Sequence, residues 1–334
     1  MCIVFVMRFK SYIYPLSLIC IGFSIGVLLP HPHLDLLSSY LSYSKQVRSN
    51  EGRFTNPLLE CEIAEGTINA EKINFKKDLE LFVKKIEATT STNEIAVYFR
   101  DLNNGPTFGI NQEDPFIPAS LLKVPVMMTY YRAADSNPEI LNKKIVFQGE
   151  TASPAEQTIL PTKRLTKGQS YSIDELIEHM IIYSDNDAVL LLFKEIPIKE
   201  FTYLYNLLGV NSKVISDFSA SLSVKQYAAF FRILFNSSFL SQERSEKALS
   251  LLSQIDFKKG LREGTPQNVL LAHKFGERQI NTGERHFHDC GIVYYPKHPY
   301  LLCVMTRGAE TPTLERAISE ISSFVYSKID AQYK

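Results

Sequence analysis

Tryptophan is absent from the 334-residue chain, and cysteine occurs only five times. The missing tryptophan excludes nothing by itself. The cysteines form no Cys-x-x-Cys pair, so their spacing disfavours a zinc site or a thioredoxin-like redox motif. Cys290 and Cys303 lie in two adjacent strand-like segments, where they could form a disulfide. Two buried free thiols fit the same pattern equally well.

An excess of one charge sign is also missing. The chain has 36 Lys and Arg residues and 36 Asp and Glu residues, which gives a formal net charge of zero. It contains no long basic or acidic run, so we expect no nucleic-acid partner. A hydrophobic fraction of 45% and a charged fraction of 22% suit a globular protein with one large domain or two small ones.

A small-residue cleavage site is missing after the apolar N-terminal segment. Arg8 and Lys10 precede Ile13–Leu29, which contains no charged residue. A basic start followed by an apolar stretch is typical of a signal peptide or an N-terminal anchor. We therefore predict an uncleaved membrane anchor over residues 1–30, with a cleaved signal as the alternative. The positive charges predict a cytoplasmic N-terminus and export of everything after Pro30.

The rest of the chain divides into a predicted tether and a predicted domain. Residues 31–69 are polar, irregular and rich in serine, which favours a tether. Residues 70–334 begin with the pattern of a helix and two strands and end with three strands and a helix. This order predicts an α+β fold, in which an antiparallel sheet from both chain ends is flanked by helices. An all-helical lobe is predicted to insert between the two halves of the sheet.

The first candidate site is Ser120-Leu-Leu-Lys123, at the start of a predicted helix. Residues three apart on a helix share a face, so Ser120 can lie beside Lys123. A serine hydroxyl needs such a neighbour to become a nucleophile, and the helix N-terminus favours an oxyanion there. Taken alone, the tetrapeptide is more often a helix-start serine and a solvated lysine.

The second candidate site is Ser184-Asp185-Asn186, which lies between two apolar runs. It follows a predicted helix over Ile173–Ile182, for which Ser172 and Glu175 supply a capping box. Polar groups between apolar runs must find partners inside the fold or line a cleft. A simple helix–helix turn capped by these side chains is the alternative.

A third motif, Lys274-Phe275-Gly276, follows in a predicted strand. The three motifs occur in the order S-x-x-K, S-D-N and K-x-G, separated by 184 − 120 = 64 and 274 − 184 = 90 residues. In this order and context the chain resembles the penicillin-recognising serine hydrolases, most closely class A β-lactamases. The resemblance covers about residues 70–330. It implies a β-lactamase/D,D-peptidase-like fold and an exported hydrolase.

The resemblance implies four catalytic residues. Ser120 would be the acylated nucleophile, and Lys123 would accept or relay its proton. Burial beside Lys274 would help Lys123 to lose its own proton, since a low dielectric and a like charge both disfavour the charged amine. Ser184 would pass a proton to the leaving nitrogen, and Lys274 would place positive charge near the substrate carboxylate.

The resemblance also implies residues that bind the substrate. Asn186 would hold the amide side chain of the substrate. The oxyanion hole would use the backbone N–H groups of Ser120 and of Glu277, the residue after Lys-x-Gly, so Gly276 and Glu277 belong to the substrate-binding strand. Asp185 is expected to brace the turn.

Two departures from the family pattern bear on the reaction. The family's K-T-G or K-S-G is Lys274-Phe275-Gly276 here, so a hydroxyl that binds the substrate carboxylate is missing. Either the phenyl ring points into the core or the site accepts a different substrate. The loop over residues 209–221 is too short for the family's long loop and lacks its E-x-x-L-N motif. Asp217 or Glu156 could replace the missing acid.

The predicted reaction is β-lactam hydrolysis through an acyl-enzyme at Ser120. The first alternative is a cell-wall D-Ala-D-Ala peptidase, and the second is a binding module without turnover. The partner would be a β-lactam or a peptidoglycan stem peptide, together with the membrane at the N-terminus, and we expect a monomer. No cofactor or metal is predicted. His286 and His288 share one strand face, but two ligands without a third favour a hydrogen-bonded strand edge.

Overall fold

The structure is a computed structural model that describes residues 52–56, 75–103, 105–149, 158–210, 221–280 and 282–334. The predicted anchor, most of the predicted tether, Glu156 and Asp217 lie outside these ranges. Within the described ranges, no helix combines the length and the apolar character that crossing a membrane requires.

A five-stranded antiparallel sheet forms the centre of the described domain. Its strands are β1 Thr92–Asp101, β2 Thr107–Ile110, β7 Leu271–Gln279, β8 Arg285–Val293 and β9 Tyr300–Gly308. Their spatial order is β2-β1-β9-β8-β7, so the N-terminal hairpin β1–β2 pairs with the three C-terminal strands through β9. Strand β7 lies at one edge of the sheet.

Two helices from the ends of the domain pack against the sheet, and six more lie between β2 and β7 in the described part of the chain. The outer helices are α1 Lys76–Thr89 and α8 Thr311–Tyr333. The inner helices are α2 Lys123–Ser136, α3 Ile173–Ile182, α4 Asn186–Lys194, α5 Ile198–Leu207, α6 Val224–Phe235 and α7 Gln242–Leu252. This arrangement confirms the predicted α+β class.

The predicted helical lobe also contains two small antiparallel sheets. One pairs β3 (Pro115–Phe116) with β6 (Leu222–Ser223), and the other pairs β4 (Lys144–Val146) with β5 (Ser170–Ser172). Strands of two or three residues are too short to show an alternating pattern in the sequence. Tertiary contacts therefore decide these pairings.

Local capping signals place two of the inner helices. Ser172 accepts a hydrogen bond from the Glu175 N–H, and the Glu175 carboxylate accepts one from the Ser172 N–H. Ser223 and Gln226 form the same reciprocal box at the start of α6. Each box satisfies two N–H groups that a helix end otherwise leaves unpaired. The predicted start of α3 at Ile173 is confirmed.

Part of the predicted tether is bound to the domain. Glu246 of α7 accepts backbone hydrogen bonds from Arg53, Phe54 and Thr55 at 2.7–3.1 Å. The Phe54 ring is buried against Tyr294, whose hydroxyl donates to the Phe54 carbonyl oxygen at 2.9 Å. The described piece of residues 31–69 is therefore a docked segment rather than a free linker.

The two cysteines of β8 and β9 are paired. Cys290 and Cys303 lie directly opposite each other in the strand register, are both buried, and are joined by a disulfide bond. The sequence left a disulfide and two free thiols equally open.

Candidate active site

Ser120 lies on a single 3₁₀ turn, Ala119–Leu122, that continues directly into α2. The preceding residue, Ala119, has a positive φ of 50°, a conformation that costs an L-residue about 1–2 kcal/mol. The turn is held in place from two sides. Tyr227 donates a hydrogen bond to the Leu121 carbonyl at 2.9 Å, and His288 Nε2 lies 2.8 Å from the Ile117 carbonyl oxygen.

Gly276 lets the edge strand β7 approach this turn. A Cβ atom at Gly276 would lie 2.9 Å from the Leu121 nitrogen and 3.1 Å from the Ser120 nitrogen. Any larger residue would push the strand away from the nucleophile turn. The main chains around Ser120 and Gly276 are therefore adjacent, as an oxyanion hole built from the N–H groups of Ser120 and Glu277 requires.

Lys123 is buried and points at the Ser184-Asp185-Asn186 turn. Its Nζ donates to the Ser184 carbonyl at 2.7 Å, to the Ser184 hydroxyl at 2.9 Å and to Asn186 Oδ1 at 2.7 Å. The Ser120 hydroxyl makes no hydrogen bond with the described residues, and its side chain is half-buried. Ser120 and Lys123 are thus neighbours on one turn, but Lys123 bonds across to Ser184.

Two lysines donate hydrogen bonds to the Ser184 hydroxyl. Lys274 Nζ of β7 donates to Ser184 Oγ at 3.0 Å, in addition to the 2.9 Å bond from Lys123. Ser184 is 2% exposed and has a positive φ of 56°. A strained backbone of this kind persists only where the surrounding structure enforces it, and such residues cluster at functional sites.

Both lysine amines are easier to deprotonate than an ordinary lysine. Burial, with the positive charge of Lys274 as a further cause, holds the pKa of Lys123 well below its usual value; Asp185 opposes this shift. Burial lowers the pKa of Lys274 to about 7, and Asp289 opposes that shift. A neutral amine can accept a proton, so Lys123 can act as a base near neutral pH.

Asp185 braces the turn that carries Ser184. Its carboxylate caps α4 by accepting from the Asp187 N–H at 2.9 Å, and it also accepts from the Leu165 N–H at 3.2 Å. His179 Nδ1 lies 3.6 Å from the same carboxylate. The side chain faces these structural partners, in keeping with the expected bracing role.

The family model described as "Beta-lactamase enzyme family" matches residues 78–329, which is most of the chain and spans all three motifs. The chain belongs to the β-lactamase enzyme family. No curated protein sequence matches it.

Solved structures of the β-lactamase fold resemble the chain over about three quarters of its length. PBP-A is 19% identical, with a TM-score of 0.64 over 77% of this chain and 97% of that chain. The TLA-3 extended-spectrum β-lactamase is 17% identical, with a TM-score of 0.66 over 76% and 98%. The class A β-lactamase from Mycobacterium abscessus is 20% identical, with a TM-score of 0.63 over 75% and 99%. At these identities the likeness establishes the fold.

Phe275, the middle residue of the Lys-x-Gly motif, is packed into an aromatic cluster. Its ring is 5% exposed and stacks on Phe257 at a centroid distance of 4.1 Å, with Phe287 at 6.4 Å. The Lys274 Nζ lies 4.1 Å from the centre of the Phe275 ring. Of the two possibilities raised by the sequence, the first holds: the ring is buried in the core, where it also contacts Lys274.

The side chain of Glu277 has a role that the sequence did not reveal. It is 9% exposed, and its Oε1 accepts hydrogen bonds from Thr158, through the backbone and the hydroxyl, and from the Ile159 N–H at 3.2 Å. Its other oxygen, Oε2, is buried without a hydrogen-bond partner in the described residues. An acidic residue directly after Lys-x-Gly, on a buried strand, was the available signal.

His288 of β8 has a structural role. Burial and the neighbouring His286 lower the pKa of His288 to about 3, so His288 is neutral. Its Nδ1 accepts from the Thr306 N–H at 3.2 Å, which leaves Nε2–H to donate to Ile117. In the described residues, no group of three or more His, Cys, Asp or Glu side chains is arranged to hold a metal ion.

Proposed function

We propose that this β-lactamase-family protein is a serine hydrolase that forms an acyl-enzyme at Ser120 with β-lactams. The observation that carries the proposal is the convergence of Lys123 and Lys274 on the Ser184 hydroxyl, 2.9 and 3.0 Å away. Two buried amines with lowered pKa values around one hydroxyl form a proton relay. Burying two amines side by side disfavours their charged forms and destabilises a fold, so a structural role alone does not account for them.

The first step is attack by Ser120. Its Oγ forms a bond to the carbonyl carbon of the substrate while its proton passes to the neutral Lys123 amine. The negative charge that develops on the carbonyl oxygen is held by the N–H groups of Ser120 and Glu277, which Gly276 allows to approach each other.

The second step breaks the carbon–nitrogen bond. The departing nitrogen takes the proton of Ser184 Oγ, and the protonated Lys123 amine returns a proton to Ser184 across 2.9 Å. Lys274 donates to the same hydroxyl and adds positive charge beside the substrate. Asn186, whose Oδ1 accepts a hydrogen bond from Lys123, lies beside the relay and is proposed to hold the amide side chain of the substrate.

A D,D-peptidase that is acylated but releases its product slowly is the second candidate function. It is favoured by the short 209–221 loop, which lacks the acid that activates water in class A enzymes. The fold neighbour PBP-A, in a mutant form, has been solved as an acyl-enzyme complex with penicillin G.

We also propose that residues 1–30 anchor the protein and that the domain is exported, which protease accessibility on intact cells would test.

The test is to follow the intact mass of the full-length protein during incubation with benzylpenicillin. We expect a mass increase equal to one penicillin, located on Ser120 by peptide mapping and absent from Ser120→Ala. Ser327→Ala, an exposed serine of α8, is the matched control and should label like the unmodified protein. An adduct that decays with release of penicilloate indicates a β-lactamase, and an adduct that persists indicates a penicillin-binding peptidase. Labelling of Ser120→Ala, or no adduct on the unmodified protein, contradicts the proposal.

A further inference from the structure

Buried side chains from two other elements hold the main chain on both sides of Ser120. His288 Nε2 of β8 lies 2.8 Å from the Ile117 carbonyl oxygen, and the Tyr227 hydroxyl of α6 donates to the Leu121 carbonyl at 2.9 Å. Both side chains belong to residues that are 0% exposed. The segment that carries the nucleophile is thus attached to the sheet before Ser120 and to α6 after it.

The hydrogen-bond partners of His288 fix which of its nitrogens carries the proton. Burial and the neighbouring His286 lower the pKa of His288 to about 3, so the ring is neutral. Its Nδ1 accepts from the Thr306 N–H at 3.2 Å, which leaves Nε2–H as the donor to Ile117. His288 therefore connects β9 to the segment that leads into Ser120.

Ala119 lies between these two attachment points and has a positive φ of 50°. This region disfavours a residue with a Cβ atom, and the cost is comparable to the gain from one hydrogen bond. The rigid peptide unit between Ala119 and Ser120 carries the Ser120 N–H, one of the two proposed donors of the oxyanion hole. A return of Ala119 to a negative φ would turn this N–H in another direction. The contacts that keep Ala119 strained therefore also set the direction of the donor.

We propose that His288, together with Tyr227 on the other side of the turn, is a positioning residue for acylation. Its hydrogen bond to Ile117 keeps Ala119 at a positive φ and thereby directs the Ser120 N–H toward the oxyanion. The bond to Thr306 only joins His288 to the neighbouring strand. This inference rests on the proposed acylation of Ser120.

The first test separates the two hydrogen bonds of His288. His288→Gln carries an N–H₂ group at the reach of Nε2, whereas the amide of His288→Asn extends only as far as Nδ1. Acylation of the full-length protein is followed by intact mass at several benzylpenicillin concentrations. We expect His288→Asn to lower the saturating rate constant by about thirtyfold and to change the half-saturating concentration by less than about threefold. His288→Gln should stay within about fivefold of the unmodified protein, because the donor to Ile117 is kept.

A double-mutant cycle tests the link to Ala119. Glycine adopts a positive φ without strain, so it needs less support from His288. His288→Asn should therefore lower the saturating rate constant by only about fivefold in the Ala119→Gly background, against about thirtyfold in the unmodified one. An equal loss in both backgrounds contradicts the proposed action through Ala119.

Tyr227→Phe and Tyr130→Phe form a matched pair that does not depend on the folding of the His288 variants. Each removes a buried hydroxyl that donates to a carbonyl, on Leu121 in the first case and on Leu192 of α4 in the second. Tyr227→Phe should lower the saturating rate constant by about tenfold, and Tyr130→Phe should leave it unchanged at a similar loss of stability.

Three outcomes would overturn the inference. Unchanged acylation in a folded His288→Asn protein, or equal acylation by the two tyrosine variants, removes the positioning role and leaves the acylation of Ser120 standing. Failure of the unmodified protein to form any adduct overturns the proposed function and this inference with it.

Discussion

The two faces of strand β7 treat buried charge in opposite ways. On one face, His273 Nδ1 lies 2.9 Å from Asp289, and Asp289 also accepts from the Leu261 N–H at 2.9 Å. On the other face, Lys274 meets a second buried lysine, Lys123, at one shared serine. One face pairs an acid with its donors, and the other brings like charges together. Adjacent residues of one strand can therefore serve stability and chemistry separately.

We expect acylation to depend on the face of β7 that carries Lys274, where Lys123 also lies. Lys123→Met should lower the second-order rate constant for acylation by benzylpenicillin by about a thousandfold, because the base that takes the Ser120 proton is removed. The free energy of unfolding should change little or rise, since the cost of burying an amine beside Lys274 and disfavouring its charged form is removed with it. Intact-mass kinetics and urea unfolding measure the two effects.

Lys199→Met, on the surface helix α5, serves as the matched control and should alter neither quantity. If Lys123→Met retained the normal acylation rate, Lys123 would not be the base that takes the Ser120 proton.

On the opposite face of β7, which carries His273, a substitution should lower the free energy of unfolding. In the described residues, His273→Ala leaves the buried Asp289 carboxylate with the Leu261 N–H as its remaining hydrogen-bond partner, and the free energy of unfolding should fall by about 3 kcal/mol. Urea unfolding at pH 7 measures the loss. Provided that the protein is folded, acylation by benzylpenicillin should change by less than about threefold.

His298→Ala, at the partly exposed β8–β9 turn, is the control and should cost less than about 1 kcal/mol. If His273→Ala lost acylation but kept its stability, His273 would belong to the active site, and the two faces of β7 would not have separate roles.

The charge of Lys274 should change with pH near neutrality. Its pKa of about 7 lies below the usual 10.5, so the amine is charged below pH 7 and neutral above it. Attraction for a carboxylate substrate should therefore be lost as pH rises through about 7. The acylation rate with benzylpenicillin should fall relative to that with its carboxamide over this interval. A ratio that is constant from pH 5.5 to 8.5 would show that Lys274 does not contact the carboxylate.

The smallest expected effect concerns backbone strain beside the nucleophile. Ala119→Gly relieves a positive φ and should raise the free energy of unfolding by roughly 0.5 kcal/mol, because the αL relief slightly exceeds the entropy cost of glycine. The acylation rate should fall by less than about tenfold, since Ser120 is held less rigidly. Thermal unfolding and intact-mass kinetics measure the pair.

Ser237→Gly is the matched control, because Ser237 has a similar φ of 48° at the end of α6, far along the chain from the site. It should give the same gain in stability with no change in acylation. If both variants changed the acylation rate equally, the strained backbone at Ala119 would have no specific role in positioning Ser120.

Much of the fold was accessible from the sequence because its signals are local. The capping box of Ser172 and Glu175 placed the start of α3 at Ile173. The paired strands β3–β6 and β4–β5 were not predicted, because two or three residues carry no periodic pattern. The disulfide of Cys290 and Cys303 depended on the β8–β9 register, which spacing alone did not define.

The candidate site divides in the same way. The order of the three motifs predicted Ser120, Lys123, Ser184 and Lys274 as catalytic residues, and the structure places Lys123 and Lys274 in contact with Ser184. The burial of Phe275 and the binding of the 158–159 segment by Glu277 were not foreseen, since each depends on what packs against β7. The bond between Thr158 and Glu277 spans 119 residues of sequence.

The sequence by itself determined the residue types of the site, their order, and the helices and strands that carry them. These follow from spacing within a few residues, which a helix or strand converts directly into a shared face. The tertiary structure alone decided that Glu246 binds residues 53–55, 191–193 positions away, and that Glu277 turns its carboxylate toward Thr158. Such contacts depend on how whole elements pack, because no local pattern records which distant segment will lie beside a side chain.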